Sequence, residues 1–215
     1  MRFIAHFSRI CAQINPFMKI RIAILGSGSG TNAENIIRYF QGHSTMEVAL
    51  VLSNRADAYI LERARMYGIP YIAFTKTDFL SEESILPLLD ENRIDFLVLA
   101  GFLLQIPEAL IQLYPNKIIN IHPALLPKYG GKGMYGNRVH EAVVAAGEKF
   151  SGITIHYIDE HYDSGSIIFQ TTCEVLPTDT PHDVAVKVHA LEYQFYPQVI
   201  QETINKEFGL TPDIK

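Results

Sequence analysis

An asparagine and a histidine two positions apart, Asn120 and His122, have the side chains best suited to chemistry on a carbonyl group. They end an apolar run at 118–121 and precede Pro123, which cannot donate a hydrogen bond to a strand ladder. Side chains alternate along a strand, so both lie on one face at its carboxyl end. An asparagine amide can donate to a developing oxyanion, and an imidazole can carry a proton near neutral pH. The alternative is a core asparagine bonded to backbone beside a satisfied histidine, and this stretch alone favours neither.

A carboxylate further along the chain could complete this pair. Asp163 lies in a predicted turn at 159–165, between predicted strands at 151–158 and 166–174. From there it could reach across the strand ends to His122 and form an ion pair that favours the imidazolium. The alternative is a turn aspartate that bonds to its own backbone.

A glycine-rich segment at 26–32 follows an apolar run at 20–25 and precedes a predicted helix at 33–39. Free N–H groups and the positive end of a helix dipole make such a turn an anion site, and Thr31 or Asn32 is expected to cap the helix. The dinucleotide fingerprint fails, because Thr31 takes its third glycine position and no acidic residue ends the next strand. We therefore predict a cradle for one phosphate rather than an NAD site. The alternative is an ordinary flexible turn.

Predicted strands and helices alternate along the chain, which indicates an α/β fold with a single doubly wound, mostly parallel sheet flanked by helices. Ligands of such sheets bind at the carboxyl ends of the strands, where the segments above would meet. The other predicted strands are at 47–52, 69–74 and 95–100, and the other predicted helices at 57–67, 75–90, 107–114, 137–146 and 181–208. The last helix is either one piece or two pieces broken at Pro197.

The composition is that of an ordinary globular protein, with 215 residues of which 48% are hydrophobic and 19% charged. A net charge of −5 argues against a general nucleic-acid-binding surface, and no apolar run is long enough to span a membrane. Cys11 and Cys173 lie far apart and lack the spacing of a zinc site, which predicts reduced thiols in a cytoplasmic protein. Residues 1–17 make a poor signal peptide. We expect a dispensable N-terminal extension there, either a disordered segment or the product of an upstream start codon.

Together these features resemble the folate-dependent formyltransferase family, whose fold is Rossmann-like. The resemblance runs from about Lys19 to Phe208 and implies a formyltransferase domain at 18–215. Within that domain, 18–117 would be the phosphate-binding half and 118–215 the catalytic and folate-binding half. The matching motifs are GSGSGTN at 26–32, SNRADAYILERA at 53–64, LAGF at 99–102, NIHPALLPKY at 120–129, YDSGSII at 162–168 and HALEYQFYP at 189–197.

The resemblance implies transfer of the formyl group of 10-formyltetrahydrofolate to the amine of glycinamide ribonucleotide, in purine biosynthesis. The amine would attack directly and form a tetrahedral intermediate. Small molecules would be the partners, with no metal, nucleic acid or membrane, and the protein would be a monomer or homodimer. The implied catalytic residues are Asn120, His122 and Asp163. A protonated His122 would stabilise the oxyanion or pass a proton to the leaving folate nitrogen, and Asp163 would pair with His122 or position a water, raising the pKa of the imidazole. The implied substrate residues are Gly30, Thr31, Asn32 and Glu192, and the implied folate residues are Leu103, Leu104, Gln105, Ile106 and Asn120.

Three departures from the family pattern affect these expectations. Leu104 stands where an arginine is often found, no basic residue to hold the folate tail is obvious at 76–84, and a glycine-rich segment at 130–136 replaces a shorter one. His156 is predicted either to support the site from the next strand or to be an ordinary buried histidine. Two other functions stay open. One is a formyl-folate enzyme with another acceptor or with water, and the other is a nucleotide-binding regulatory module. A dehydrogenase is a distant third.

Overall fold

The computed structural model describes residues 19–211, so the predicted extension at 1–17 lies outside the described residues. The strands are β1 (Ile20–Leu25), β2 (Met46–Ser53), β3 (Tyr71–Ala73), β4 (Phe96–Leu99), β5 (Ile118–His122), β6 (Phe150–Tyr157) and β7 (Ile167–Glu174). The helices are α1 (Thr31–Phe40), α2 (Tyr59–Met66), α3 (Lys76–Leu80), α4 (Glu82–Glu91), α5 (Glu108–Leu113), α6 (Asn137–Ala145) and α7 (Pro181–Phe208).

The seven strands form one sheet in the order β3-β2-β1-β4-β5-β6-β7. The first five strands in this order, from β3 through β2, β1 and β4 to β5, are parallel to one another. Strand β6 runs antiparallel to both β5 and β7. Parallel neighbours need crossover connections, and helices supply them here. The predicted single, mostly parallel sheet is therefore confirmed.

Both faces of the sheet are buried, as a doubly wound fold requires. Alternate residues of β1 point to opposite sides, with Ile22 and Ile24 in one apolar cluster and Ala23 and Leu25 in the other. The first cluster includes side chains of α1, α2, α6 and α7, and the second includes side chains of α3, α4 and α5. The core thus fixes the strand ends on which the site residues stand.

The start of α1 differs from the sequence prediction. The helix begins at Thr31, and Gly30 is the N-cap with φ 74°, so neither Thr31 nor Asn32 caps it. This left-handed conformation suits glycine, and a Cβ at Gly30 would lie 2.6 Å from Ile60. Packing of the loop against α2 therefore determines which residue is the N-cap. The local sequence pattern contains no information about that packing.

Two predicted helices also differ in where they break. The segment predicted as one helix at 75–90 divides into α3 and α4 at Ser81, while Pro87 lies inside α4. The break follows from an extended backbone at Ser81 (φ −88°, ψ 114°). By contrast, α7 continues through Pro197 as one helix of 28 residues, which settles that open alternative.

Candidate active site

The buried Ser27, which follows β1, forms hydrogen bonds with the loops that follow β2 and β4. The backbone N–H of Ser27 donates to the carbonyl of Gly101 (3.0 Å), and its hydroxyl donates to Asn54 Oδ1 (2.6 Å). The same hydroxyl accepts a hydrogen bond from the backbone N–H of Leu103 (3.0 Å). The glycine-rich loop and the predicted folate segment are therefore fixed relative to each other. The sequence reasoning missed Ser27 and Asn54, although the SNRAD motif contains the asparagine.

The predicted substrate residues meet at the start of α1. Gly30 is its N-cap, and Thr31 and Asn32 are its first two residues, whose N–H groups have no helical carbonyl to bond. The amide of Asn32 donates to Glu192 Oε2 on α7 (2.8 Å). Burial raises the pKa of Glu192, and the hydrogen bond from Asn32 and the charge of His189 oppose that change. This hydrogen bond connects the start of α1 to the glutamate that was predicted to hold the amine end of the acceptor.

The hydroxyl of Tyr196 fixes α7 against the strands of the site. Tyr196 is fully buried and donates to the carbonyl of Leu99 (2.8 Å), with the carbonyl of Ile119 at 3.4 Å. Ile119 directly precedes Asn120 in β5. Since Glu192 lies one turn before Tyr196 on the same helix, α7 carries it to the strands that end at the site.

Asn120 pairs with a histidine on the neighbouring antiparallel strand. Asn120 and His156 are directly opposite in the β5–β6 register, and Asn120 Nδ2 lies 3.2 Å from His156 Nε2. The other ring nitrogen, Nδ1, lies 2.8 Å from the carbonyl of Tyr157, which can only accept, so Nδ1 carries a proton. An amide nitrogen has two hydrogens, and one remains for a substrate oxygen.

His122 and Asp163 approach each other as the sequence predicted. His122 Nδ1 lies 3.5 Å from Asp163 Oδ2, and His122 Nε2 lies 2.7 Å from the carbonyl of Tyr129. Asp163 Oδ2 accepts a hydrogen bond from the N–H of Gly131 (2.8 Å), and Asp163 Oδ1 is 3.7 Å from His156 Nε2. An amide, two imidazoles and a carboxylate therefore form one cluster, in which His156 supports two predicted catalytic residues.

Burial changes the expected charge on His122. The sequence predicted that Asp163 would raise the pKa of this imidazole. Asp163 and the carbonyl of Tyr129 do act in that direction, but removal from water outweighs them and the pKa of His122 is lowered. The neutral imidazole is therefore favoured before a substrate binds, although Asp163 acts on its pKa in the predicted direction.

Asp163 keeps its negative charge in the same surroundings. Burial raises the pKa of its carboxyl group, but the neighbouring rings of His156 and His122 and the N–H of Gly131 together lower it below its ordinary value. Asp163 has a positive φ of 54°, a conformation that aspartate adopts more readily than most residues. This backbone turn brings the carboxylate between the two histidines.

The predicted folate residues divide between surface and core. Leu103 is 43% exposed, whereas Ile106 is buried in the second apolar cluster, with Leu104 packed partly against it. Gln105 donates to the carbonyl of Glu160 (2.9 Å) and so joins this segment to the turn that carries Asp163. A cavity of about 380 Å³ opens beside Asp163, between 126–131 and 162–167, and none of the residues at 103–106 line it.

Two further observations concern the part of the chain that the structure describes. Within residues 19–211, no three His, Cys, Asp or Glu side chains are grouped so that they could hold a metal ion. None of the helices in that range is both long enough and apolar enough to cross a bilayer.

Comparison with known proteins agrees with this geometry. The model of a family described as formyl transferase matches residues 20–200. A phosphoribosylglycinamide formyltransferase from Haemophilus influenzae is 36% identical over 186 residues, which is 84% of this chain and 85% of that protein. The crystal structure of phosphoribosylglycinamide formyltransferase from Bacillus halodurans has a TM-score of 0.78 at 36% identity, covering 87% of this chain and 96% of that one.

A chloroplastic phosphoribosylglycinamide formyltransferase from Arabidopsis thaliana is 40% identical over 186 residues, or 84% of this chain. The match spans 64% of that plant protein and 60% of its counterpart from Vigna unguiculata. The chain therefore belongs to the formyl transferase family. Within that family it groups with the phosphoribosylglycinamide formyltransferases, the name that all these relatives carry.

Proposed function

We propose that this chain transfers the formyl group of 10-formyltetrahydrofolate to the amine of glycinamide ribonucleotide, a step of purine biosynthesis. The observation that carries the proposal is the cluster of Asn120, His122 and Asp163 at the carboxyl ends of the strands, on the sheet edge that also carries the glycine-rich loop. The names of the relatives supply the acceptor. The cluster supplies an oxyanion donor and a proton carrier, which are the groups that acyl transfer to an amine requires.

The proposed reaction is direct attack by the acceptor amine on the formyl carbon. A C–N bond forms, and the formyl oxygen becomes an oxyanion that receives a hydrogen bond from the amide of Asn120. The tetrahedral intermediate then collapses, the bond from carbon to the folate nitrogen breaks, and that nitrogen leaves with a proton. No covalent bond to the protein is needed, because two bound reactants held in line already gain a large rate advantage.

His122 would move the proton from the attacking amine to the leaving nitrogen. Its Nε2 is engaged by the carbonyl of Tyr129, so Nδ1, which faces Asp163, is the nitrogen that exchanges the proton. The lowered pKa of His122 leaves the imidazole neutral and ready to accept a proton. The charge of Asp163 then stabilises the imidazolium during the reaction.

The two substrates would enter from opposite sides of the cluster. The phosphate of the ribonucleotide would bind at Gly30, Thr31 and Asn32, and Glu192 would hold the end that carries the amine. The pterin of the folate would lie between 103–106 and the turn at 158–163, which the hydrogen bond of Gln105 joins. The proposed boundary at 117 does not separate the two substrates, because the folate segment at 103–106 lies in the first half and Glu192 lies in the second.

Small molecules are the proposed partners, without a metal, nucleic acid or a membrane, and the protein would act as a monomer or homodimer. The proposed compartment is the cytoplasm, although the plant relatives are named chloroplastic. A net charge of −5 disfavours binding to nucleic acid. The other points rest on the composition and on the family.

A two-substrate assay tests the proposal. Purified protein is given formyl-folate and glycinamide ribonucleotide, each is omitted in turn, and formylated product and free formate are measured. We expect product only when both are present. Formate released at the same rate without the acceptor would indicate a hydrolase, and transfer to a sugar-nucleotide amine instead would indicate another acceptor. Nucleotide binding without turnover would favour the regulatory module.

A further inference from the structure

Arg63 bonds directly to the glycine-rich loop. It lies on α2, and its Nε donates to the carbonyl of Ser29 (2.8 Å). The preceding carbonyl, of Gly28, accepts a hydrogen bond from the backbone N–H of Ile60 (3.1 Å), also on α2. Two successive carbonyl groups of the loop therefore face the same helix.

The direction of these carbonyls fixes the direction of the N–H groups. In a trans peptide the C=O and N–H bonds point in opposite directions, and the one cis bond between described residues is Leu126–Pro127. The N–H groups of Ser29 and Gly30 consequently point away from α2. With the free N–H groups at the start of α1, they form the kind of concave row of donors that binds an anion.

The orientation of the Ser29–Gly30 peptide needs a stabilising contact, because the glycine also permits the reversed orientation. Gly30 has φ 74°, but glycine adopts negative φ about as readily, so rotation of the Ser29–Gly30 peptide meets little intrinsic resistance. Rotation would turn the carbonyl oxygen of Ser29 towards the anion and the N–H of Gly30 away from it. The hydrogen bond from Arg63 holds this carbonyl against α2 and opposes the rotation.

Arg63 also compensates a negative charge beside the anion site. Glu34 lies in the first turn of α1 and is 15% exposed, and its carboxylate contacts Arg63 Nη1, Arg38 Nη2 (2.6 Å) and the hydroxyl of Tyr67 (2.9 Å). Two cations around one carboxylate leave a net positive charge near the loop. The guanidinium of Arg63 lies 5.0 Å from the ring centre of Tyr59, which restricts its orientation.

We propose that Arg63 is a positioning residue for the acceptor's phosphate, holding the loop in the orientation that binds it. The inference rests on the proposed function, since it assumes that the loop binds this phosphate. Arg63 acts through the peptide between Ser29 and Gly30 and through Glu34. It would therefore determine the preference for a phosphorylated acceptor over the same molecule without its phosphate.

The test compares glycinamide ribonucleotide with its dephosphorylated riboside as acceptors, in wild type, Arg63→Met and Arg65→Met. Arg65 is the matched control, because it lies on the same helix and pairs with exposed Glu62. In Arg63→Met we expect KM for the ribonucleotide to rise about tenfold or more, the loss that one hydrogen bond from a charged group predicts. We expect kcat, and kcat/KM for the riboside, to stay near wild type, and Arg65→Met to match wild type throughout.

Two results would overturn the inference: no change in Arg63→Met, or an equal fall of kcat/KM for both acceptors, which indicates a purely structural role. If Arg63→Met does not fold by circular dichroism, Arg63→Gln replaces it with the same expectations, because its shorter side chain cannot reach both Ser29 and Glu34. A wild type that does not prefer the ribonucleotide would overturn the phosphate site itself, and the role of Arg63 with it.

Discussion

The glycine-rich loop and the catalytic cluster present different kinds of chemical groups. The glycine-rich loop at 26–32 uses backbone N–H groups of consecutive residues, whereas the catalytic cluster uses side chains from separate strands and turns. In the loop, α2 donates hydrogen bonds to the carbonyls of Gly28 and Ser29, and the N–H groups of Ser29 and Gly30 point away from α2. In the cluster, Asn120, His122 and Asp163 bond to one another or to His156 and to backbone groups. The loop is therefore suited to hold a substrate, and the cluster is suited to change one.

Burial also affects the two parts differently. A backbone N–H keeps its polarity at every pH, so the donors of the loop do not titrate. The pKa of His122 depends on a balance in which removal from water outweighs the nearby carboxylate. We therefore expect substitutions in the loop to change KM and substitutions in the cluster to change kcat.

The largest effect is expected for His122→Ala. Removal of the proton carrier should lower kcat by about 10³-fold, within the range measured for general acid–base groups, while KM for the ribonucleotide changes by only a few-fold. Steady-state kinetics measure both quantities. His182→Ala is the control, since this exposed histidine lies in the first turn of α7, away from the proposed site. A variant that lost affinity and kept its turnover would contradict the assignment.

A somewhat smaller loss of turnover is expected for Asn120→Ala. Removal of one oxyanion donor should cost about 10²-fold or more in kcat. Asn35→Ala provides the comparison, because this exposed amide bonds to the carbonyl of Tyr193 away from the cluster. Unchanged turnover in Asn120→Ala would remove the oxyanion role from this residue.

Gly30→Ala should act on the other part of the site. An added Cβ would lie 2.6 Å from Ile60 and would strain a backbone at φ 74°, so we expect KM for the ribonucleotide to rise about tenfold with kcat near wild type. Gly42→Ala isolates the strain, since Gly42 has the same φ and no atom within 4 Å of its added Cβ. A similar rise of KM in both variants would show that strain alone, without displacement of the loop, accounts for the effect.

The smallest expected effect is a loss of protein stability at acid pH, caused by a histidine packed behind the loop and the cluster. His140 on α6 is 1% exposed, and burial lowers its pKa to about 4. Below about pH 6.5 the unfolded chain binds a proton that the folded chain does not, so stability should fall as the pH drops towards 4. The loss should reach about 2 kcal/mol at pH 5, since one pKa unit corresponds to about 1.4 kcal/mol.

Urea unfolding at pH 7.5 and pH 5 measures this difference for wild type, His140→Gln and His182→Gln. His140→Gln has no imidazole to protonate at this position and should lose less stability on acidification. His182 is exposed on α7, so its variant should retain the wild-type loss. An equal loss in all three proteins would assign the acid sensitivity to other groups.

Much of the fold follows from local patterns. Apolar runs at the spacing of alternating strands and helices predicted the parallel strands, and the glycine-rich segment predicted a turn into a helix. The N-cap at Gly30 could not be predicted from the propensities of Thr31 and Asn32, because contact with Ile60 decides it. The break at Ser81 and the continuous α7 likewise depend on backbone conformation that Pro87 and Pro197 do not reveal.

The site was predictable where residues are adjacent and less so where distant segments meet. Asn120 and His122 share a strand, so their common position followed from the period of two. The contact between Asp163 and His122 was expected, but the position of His156 between Asp163 and Asn120 requires the β5–β6 register. The lowered pKa of His122 needs the extent of burial, and the bond from Arg63 to Ser29 needs the packing of α2 on the loop. A single sequence contains no local signal for either.

The most direct test measures the rate of formyl transfer with both substrates saturating, in wild type, Gly30→Ala and Asn120→Ala. Saturation removes the effect of weaker binding, so the rate reports the chemistry alone. If the loop binds the substrate and the cluster catalyses the reaction, the rate of Gly30→Ala should stay within a few-fold of wild type. The rate of Asn120→Ala should be lower by about 10²-fold or more. Equal rates in the two variants would contradict this assignment.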